Sequence, residues 1–132
     1  MVTPLSRRRL STLVRQTVTL DHLGRGRLTM GIGLGVDGGG ELTRFGEEVD
    51  ARTRAAILDE SADLLVEAWH GETAVHRRTH RAVDGVAFRP RPIQRPAIPV
   101  WCATRAGRAW DDPAGRPANR TRPHGRPRRQ PA

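Results

Sequence analysis

The chain has 132 residues, which is enough for one small domain, and its hydrophobic and aromatic fractions of 36% and 4% are low. A single cysteine, Cys102, excludes an internal disulfide and a cysteine-rich metal site. No apolar run approaches the roughly 20 residues that span a bilayer, and no apolar segment follows the arginines at 7–9 as in a signal peptide. We therefore expect a cytoplasmic protein without a membrane partner.

The formal net charge of +9 comes from arginine alone, because the chain contains no lysine. More than half of the excess lies in residues 106–132, which hold seven Arg against two Asp. A surface selected for phosphate contacts usually mixes Lys and Arg, so a biased genome is the simpler explanation of this composition. The composition does not indicate a nucleic-acid partner.

The first predicted helix covers residues 4–22. Thr3 can cap it and Pro4 suits its first position, while Gly24 ends it. The arginine run at 7–9 is interpreted as a solvated face rather than as a binding patch. Met1 and Val2 are typical of the end of a strand, so we expect the chain to begin within a domain.

A strand is predicted over residues 27–35, where large apolar residues alternate with Thr and Gly. The missing polar face favours a strand covered on both sides, as in a parallel sheet. A glycine-rich loop follows at 36–40, and eight of the 14 glycines lie between Gly24 and Gly40. Such a loop after a buried strand is typical of phosphate and cofactor sites. On pattern alone, a long turn that needs positive φ is the alternative.

A second helix is predicted over residues 51–70, ended by Gly71. Its apolar stripe consists of Ile57, Ser61, Leu64, Leu65, Ala68 and Trp69. Arg52 and Arg54 lie close in sequence to the glycine loop, where an arginine can bind a phosphate through two parallel N–H groups of its guanidinium. Pairing with Glu47, Glu48 or Asp50 is the alternative for these two arginines.

Two short β-like pieces, 74–76 and 83–88, flank a polar turn. His76 and His80 lie four residues apart, but this spacing does not converge on a metal in extended structure, so we expect no metal site. Four prolines between 89 and 99 predict an extended connector. Residues 98–103 then predict a second buried strand, parallel to the first, which makes a βαβ-type unit.

The final segment, 106–132, shows neither helical nor strand periodicity and is rich in Arg and Pro. We interpret it as a disordered tail. A basic nucleic-acid-binding tail and a peptide ligand are two functional interpretations. The third, which the composition favours, is a segment read out of frame from GC-rich DNA.

Four pieces of the chain resemble the bacterial luciferase-like flavin monooxygenases: VTPLSRRRL, TVTLDHLGRGRLTMGIGLG, FGEEVDARTRAAILDESADLLVEAWHGE and VAFRPRPIQRPAIPVWCA. The four pieces occur in the order and at the spacing of the family, and together they cover residues 1–105. The resemblance implies an α/β fold, namely a fragment of a (β/α)8 TIM barrel with about two βα units near strands 3–5, followed by the disordered tail. A whole barrel takes roughly 250 residues.

The resemblance also implies a site at the C-terminal ends of the strands, where barrel enzymes place their chemistry. The candidate cofactor-binding residues are Gly33, Leu34, Gly35, Arg52, Ala103, Thr104 and Arg105. The implied cofactor is reduced FMN, with deazaflavin as the alternative, and neither a catalytic residue nor a metal ligand is assigned.

The implied function is a flavin-dependent monooxygenase, in which reduced flavin and O2 oxygenate a small organic substrate. A flavin reductase is a candidate partner. We expect the chain to be a truncated and impaired copy. The alternatives are a deazaflavin-dependent oxidoreductase of the same family, or a basic nucleic-acid-binding protein that acts through its tail.

Overall fold

The computed structural model describes residues 2–103, which form a mixed α/β structure. Thr104, Arg105 and the predicted tail at 106–132 lie outside the described residues. The elements in chain order are β1 (Thr3–Pro4), a 3-10 turn (Leu5–Arg7), α1 (Leu10–Leu23), β2 (Met30–Gly33), a second 3-10 turn (Gly38–Gly40), α2 (Glu41–Arg44), α3 (Ala51–His70), β3 (Thr73–Arg77), β4 (Ala82–Ala87) and β5 (Val100–Ala103).

The main sheet has the order β1-β2-β5, and both pairings are parallel. Met30–Gly33 pairs residue by residue with Val100–Ala103, so the predicted parallel pairing of the two strands is confirmed. Both strands are shorter than predicted. Met30 and Ile32 are buried on one face of β2, but on the other face Gly31 is only half-buried and pairs with exposed Trp101, so the expectation that both faces are covered holds for one face alone within residues 2–103.

The prediction that the second strand is buried is wrong. Trp101 in β5 is 56% exposed, and Cys102 and Ala103 are exposed as well. β5 is the outer strand of the described sheet, with β2 on one side of it. Apolar side chains are buried only where another element packs on them, and within residues 2–103 no element covers these three.

The predicted start of the first helix is also wrong. Thr3 and Pro4 pair in parallel with Ile32 and Gly33, and a 3-10 turn separates them from α1, which begins at Leu10. Thr3 and Pro4 therefore pair in a strand although their sequence favours a helix start, because tertiary contacts override local helix propensity. A strand does lie near the start of the chain, but it consists of Thr3 and Pro4 rather than Met1 and Val2: Val2 precedes it and Met1 lies outside the described residues. Gly24 ends the helix as predicted.

The second helix has the predicted bounds, and each end has a local cause. Asp50 caps it, because its Oδ2 accepts from the N–H of Thr53 at 2.7 Å and from the Thr53 hydroxyl at 2.9 Å. These hydrogen bonds lower the pKa of Asp50. Gly71 ends the helix with φ 70°, a left-handed conformation that glycine adopts without strain.

The core lies where α1 and α3 pack together next to the sheet. The indole N–H of Trp69 donates to Thr17 Oγ1 at 3.0 Å, and Trp69 is 1% exposed. Of the predicted α3 stripe, Ile57 is half-buried, and Leu58 is buried next to it. The core side chains are Leu5, Leu10, Leu13, Val14, Val18, Met30, Ile32, Leu58, Leu64, Leu65, Ala68, Trp69, Phe88 and Ile98.

The predicted β pieces after α3 form an antiparallel hairpin of β3 and β4. Its turn is held on α3, because Glu60 Oε2 accepts from the N–H groups of His80 and Arg81, both at 2.8 Å. The Arg81 guanidinium donates to Ser61 Oγ at 2.9 Å and to the Leu5 carbonyl at 3.2 Å. The hairpin is thereby tied both to α3 and to the Leu5–Arg7 turn.

A buried carboxylate on α1 holds the segment that leads into β5. Asp21 accepts from the N–H of Ile93 at 2.7 Å, from the N–H of Gln94 at 3.1 Å and from Gln94 Nε2 at 2.8 Å. Gln94 Nε2 also donates to the Leu28 carbonyl at 2.7 Å, just before β2. This Asp21–Gln94 clamp fixes the approach of β5 to β2. No helix within residues 2–103 combines the length and the apolar content needed to cross a bilayer.

Candidate functional site

The C-terminal ends of the three parallel strands meet at one edge of the sheet. Gly33, the last residue of β2, lies between Pro4 of β1 and Ala103 of β5 in register. This edge is where α/β proteins bind ligands, because loops and helix N-termini gather there.

Gly33 has no room for a side chain. A Cβ at this position would lie 2.8 Å from Val2 Cγ1 and 3.5 Å from Ala103 Cβ. The close packing of the three strand ends therefore depends on glycine here. The structure brings two candidate residues, Gly33 and Ala103, into contact distance of each other.

Leu34 and Gly35 carry the chain out of the sheet at this edge. Leu34 is half-buried, whereas Gly35 is exposed. A Cβ on Gly35 would lie 3.1 Å from Pro4 Cβ, so the chain leaves β2 alongside the end of β1. Four of the seven candidate residues thus belong to one edge, and Thr104 and Arg105 lie outside the described residues.

The glycine-rich loop is an ordered turn closed by Asp37. Its Oδ1 accepts from the N–H groups of Leu42 at 2.6 Å and Thr43 at 3.3 Å, and its Oδ2 accepts from the Thr43 hydroxyl at 2.5 Å. The Thr43 hydroxyl makes the largest contribution to lowering the pKa of Asp37, and the charge of Arg54 makes a smaller one. The N-terminal N–H groups of α2 are therefore occupied by a side chain of the loop itself.

The two arginines near the loop lie in different surroundings. Arg52 is exposed, and its charge acts on the capping carboxylate of Asp50. Arg54 is 7% exposed, and its charge acts on Asp37 in the loop. Arg54 is thus the arginine that the structure buries next to the loop.

The burial of Arg54 is the feature that the sequence analysis missed. Arg54 lies on the same face of α3 as Leu58, Ser61 and Leu65, at helical spacings of four, three and four residues. Extending the apolar stripe back to the first turn of the helix would have found it. Its Nε is buried without a hydrogen-bond partner among residues 2–103, as is Oγ of Ser6.

The arginine run at 7–9 is only partly a solvated face. Arg8 and Arg9 are exposed, but Arg7 donates to Glu41 Oε2 at 3.0 Å and lies 4.0 Å from Glu47 Oε1. These contacts join the Leu5–Arg7 turn to α2 and to the segment that follows it. Arg7 therefore holds together the loops at the C-terminal edge of the sheet.

The two histidines that the sequence analysis weighed as metal ligands lie in separate surroundings. Nδ1 of buried His76 is 3.4 Å from Glu67 Oε2, and His80 is exposed in the hairpin turn. In the part of the chain from 2 to 103, no three His, Cys, Asp or Glu side chains are grouped closely enough to hold a metal ion.

Known proteins resemble this chain in sequence and in overall fold. The family model for luciferase-like monooxygenases matches residues 1–125. The crystal structure of monooxygenase RslO1 from Streptomyces bottropensis superposes with a TM-score of 0.68 at 27% sequence identity, over 78% of this chain and 30% of RslO1.

Two proteins of Sinorhizobium fredii (strain NBRC 101917 / NGR234) are similar in sequence. Uncharacterized protein y4wF is 40% identical over 85 residues, which are 64% of this chain and 24% of y4wF. Uncharacterized protein y4vJ is 29% identical over 89 residues, which are 67% of this chain and 24% of y4vJ. The chain spans 24% of the length of each of these curated relatives. Because the family model covers most of the sequence, the chain belongs to the luciferase-like monooxygenase family.

Proposed function

We propose that this chain supplies the phosphate-binding edge of a flavin-dependent monooxygenase built on a TIM barrel. The β1, β2 and β5 strands then correspond to barrel strands three, four and five, with α1 and α3 as helices of the outer ring. The observation that carries the proposal is the alignment of Pro4, Gly33 and Ala103 at a single edge of a parallel sheet. Barrel enzymes bind their ligands at this edge.

The residues at this edge fit a phosphorylated flavin. Gly35 and Ala103 are exposed and carry no side chain or a small one, so a phosphate can approach the backbone closely at these two positions, whereas Val2 packs on Gly33. A buried guanidinium with an unpartnered Nε, that of Arg54, lies next to the adjoining loop. A dianion is the ligand that such an arrangement stabilises.

In this proposal Gly33, Leu34, Gly35 and Ala103 hold the cofactor phosphate through backbone groups. Arg52, Thr104 and Arg105 are proposed as further contacts. When bound, a reduced flavin supplies the electrons with which O2 oxygenates a small organic substrate. FMN is the proposed cofactor and a deazaflavin the alternative, and a flavin reductase is the proposed source of the reduced form.

The test is a titration of the full chain with FMN, with riboflavin as the ligand that lacks the phosphate. Ala103→Glu places a carboxylate at the proposed site, and Ala87→Glu is the matched control, since both alanines are exposed last residues of strands. We expect the fluorescence of FMN to be quenched when it binds, and we expect FMN to raise the melting temperature of the chain. We also expect Ala103→Glu to weaken FMN binding by about tenfold or more through charge repulsion, whereas Ala87→Glu leaves it unchanged. A deazaflavin titrated in parallel tests the alternative cofactor.

If saturating FMN and saturating deazaflavin both leave the spectrum and the melting temperature unchanged, this chain does not bind flavin. Equal affinity for FMN and riboflavin would contradict the phosphate site while leaving flavin binding in place.

A further inference from the structure

The surface at the N-terminal edge of the main sheet lies opposite the candidate site and is built from two segments. Residues 22–29 lead from the end of α1 into β2, and residues 89–96 lead from the hairpin towards β5. The Asp21–Gln94 clamp holds the two segments together, and Nε2 of His22 donates to the Arg91 carbonyl at 2.8 Å. We call the surface formed by these two segments and the adjoining side of α1 the basic surface.

The basic surface carries positive charges that no carboxylate of residues 2–103 pairs with. Its two segments contain no Asp or Glu and five exposed arginines, namely Arg25, Arg27, Arg89, Arg91 and Arg95, and α1 adds exposed Arg15. None of these six forms an ion pair within the described residues. Asp21 is buried and accepts from Ile93 and Gln94, so it is not available to the arginines. A surface of this charge attracts an anionic partner.

An apolar groove of about 380 Å³ lies within the basic surface, between α1 and the start of residues 89–96. Its floor consists of the buried side chains Val14, Val18 and Phe88, and its sides include Arg15 and Arg89. The Arg15 guanidinium lies 5.7 Å from the centroid of the Phe88 ring. The groove therefore combines an apolar floor with a cationic rim.

The groove follows the length of α1. At one end of it Leu23 is 76% exposed. At the other end a cavity of about 220 Å³, lined by the same Val14 and Phe88, extends to Leu10. Leu10–Leu23 is the whole of α1, which at 1.5 Å per residue spans about 20 Å. A partner helix of roughly four turns has the same length.

The surroundings of the groove distinguish between the anionic or apolar partners that could occupy it. Nucleic-acid bases stack on exposed aromatic side chains, but the aromatic side chain of this surface, Phe88, is 7% exposed and lies next to the Arg15 guanidinium. A second copy of the chain carries a net charge of +9, and residues 106–132 hold seven Arg against two Asp. Charge repulsion therefore disfavours both of these as occupants.

We propose that the basic surface binds an acidic amphipathic helix of a partner protein. The apolar face of such a helix lies on Val14, Val18 and Phe88, and its carboxylates pair with the arginines on either side. This is the helix-in-groove mode of recognition, with the charges of the rim fixing the choice of partner. The surface is separate from the flavin proposal, because it lies at the other edge of the sheet.

The test measures the binding of a labelled peptide to the full chain by fluorescence anisotropy. The peptide has roughly 14 residues, with Leu along one helical face and Glu on the others. A scrambled peptide of the same composition carries the same charge without an apolar face. It therefore reports binding through charge alone, including any binding to the arginines of residues 106–132.

Two surface substitutions test the rim and the apolar end of the groove. We expect Arg89→Glu to weaken binding of the amphipathic peptide by about tenfold or more, because it replaces attraction by repulsion. We expect Leu23→Gln to weaken it by about fivefold or more through the loss of apolar contact. Arg44→Glu and Val49→Gln are the matched controls, since both residues are exposed and follow β2 at the opposite edge of the sheet. We expect the controls to bind as the wild type does.

Three results would overturn the proposal. The first is equal affinity for the amphipathic and the scrambled peptide, or an amphipathic peptide whose binding is the same in Arg89→Glu and Arg44→Glu. The second is a single-stranded oligonucleotide of equal charge that binds more tightly than the peptide and loses affinity in Arg89→Glu, which would assign the surface to nucleic acid. The third is a dimer of the full chain in sedimentation that Leu23→Gln dissociates, which would assign the groove to a second copy.

Discussion

The Asp21–Gln94 clamp gives the sharpest prediction of stability. Asp21→Asn preserves the shape of the side chain but replaces one acceptor oxygen by an NH2 group. Three N–H donors point at the carboxylate, two of them from the backbone of Ile93 and Gln94. At least one donor then faces another donor, whichever way the amide is turned.

The expected loss follows from these contacts. A hydrogen bond to a charged group contributes about 1.5–3 kcal/mol, and a buried donor left without a partner costs about 1–3 kcal/mol. Because these effects overlap within one cluster, we expect the free energy of unfolding to fall by about 2–4 kcal/mol at pH 7. Urea unfolding followed by circular dichroism measures this difference.

The pH dependence supplies a second readout. Burial raises the pKa of Asp21, but its hydrogen bonds with Gln94 and Ile93 outweigh burial and hold the pKa below its usual value. A carboxyl with a lowered folded pKa stabilises the protein above its unfolded pKa of about 3.9 and loses this contribution as the pH falls through the folded pKa. The stability gap between the wild type and Asp21→Asn should therefore be complete above about pH 5 and shrink in stronger acid.

Asp84→Asn is the matched control. The side chain of Asp84 is 79% exposed and pairs with Arg77 at the surface, so we expect a change within about 0.5 kcal/mol. If Asp21→Asn costs no more than Asp84→Asn, or if its cost is the same at every pH, the clamp does not hold β5 as described.

Three further substitutions test the packing around α3 by urea unfolding. Trp69→Phe removes the hydrogen bond to Thr17 and should cost about 1–2 kcal/mol, whereas an unchanged stability would contradict that contact. Gly71→Ala places a Cβ 2.5 Å from Arg91 Cγ at a φ of +70°. It should lower the free energy of unfolding by about 1–2 kcal/mol. Adding Arg91→Ala should recover only the part of this loss that comes from the clash with Arg91, because the strain of the left-handed backbone remains. Glu60→Ala leaves two backbone N–H groups of the hairpin turn without their acceptor and should cost about 1–3 kcal/mol, with faster amide exchange confined to that turn.

The second helix could be predicted to the residue because its ends are encoded locally. Asp50 and Thr53 form the cap within one turn, and Gly71 supplies the left-handed residue that ends the helix. The first helix lacks such a cap at its true start, since Arg9 makes no side-chain capping bond. The only local signal, Thr3-Pro4, belongs to a strand whose pairing partner lies about 30 residues away.

The arrangement of the backbone at the candidate site could be predicted from the sequence, but which charged side chain is buried there could not. The alternation of large apolar residues with Thr and Gly around β2 indicated a strand that ends in residues without large side chains. The parallel pairing with β5 placed Gly33 beside Ala103. Which arginine is buried depends on the rotation of α3 about its axis. That rotation is set by contacts of Leu58 and Leu65 with the core, and proximity to the loop in sequence does not reveal it. The apolar run at 98–103 predicted a buried strand, but no element within residues 2–103 packs on β5, and a local pattern cannot reveal that.

Phosphorus-31 NMR of FMN tests the central claim most directly, because it observes the phosphate itself. On adding the full chain, we expect the phosphate resonance of FMN to shift or broaden, and we expect Arg54→Met to abolish this change while Arg25→Met leaves it intact. A phosphate resonance that stays unchanged while the flavin fluorescence is quenched would contradict the account, because flavin would then bind without using the edge formed by Pro4, Gly33 and Ala103.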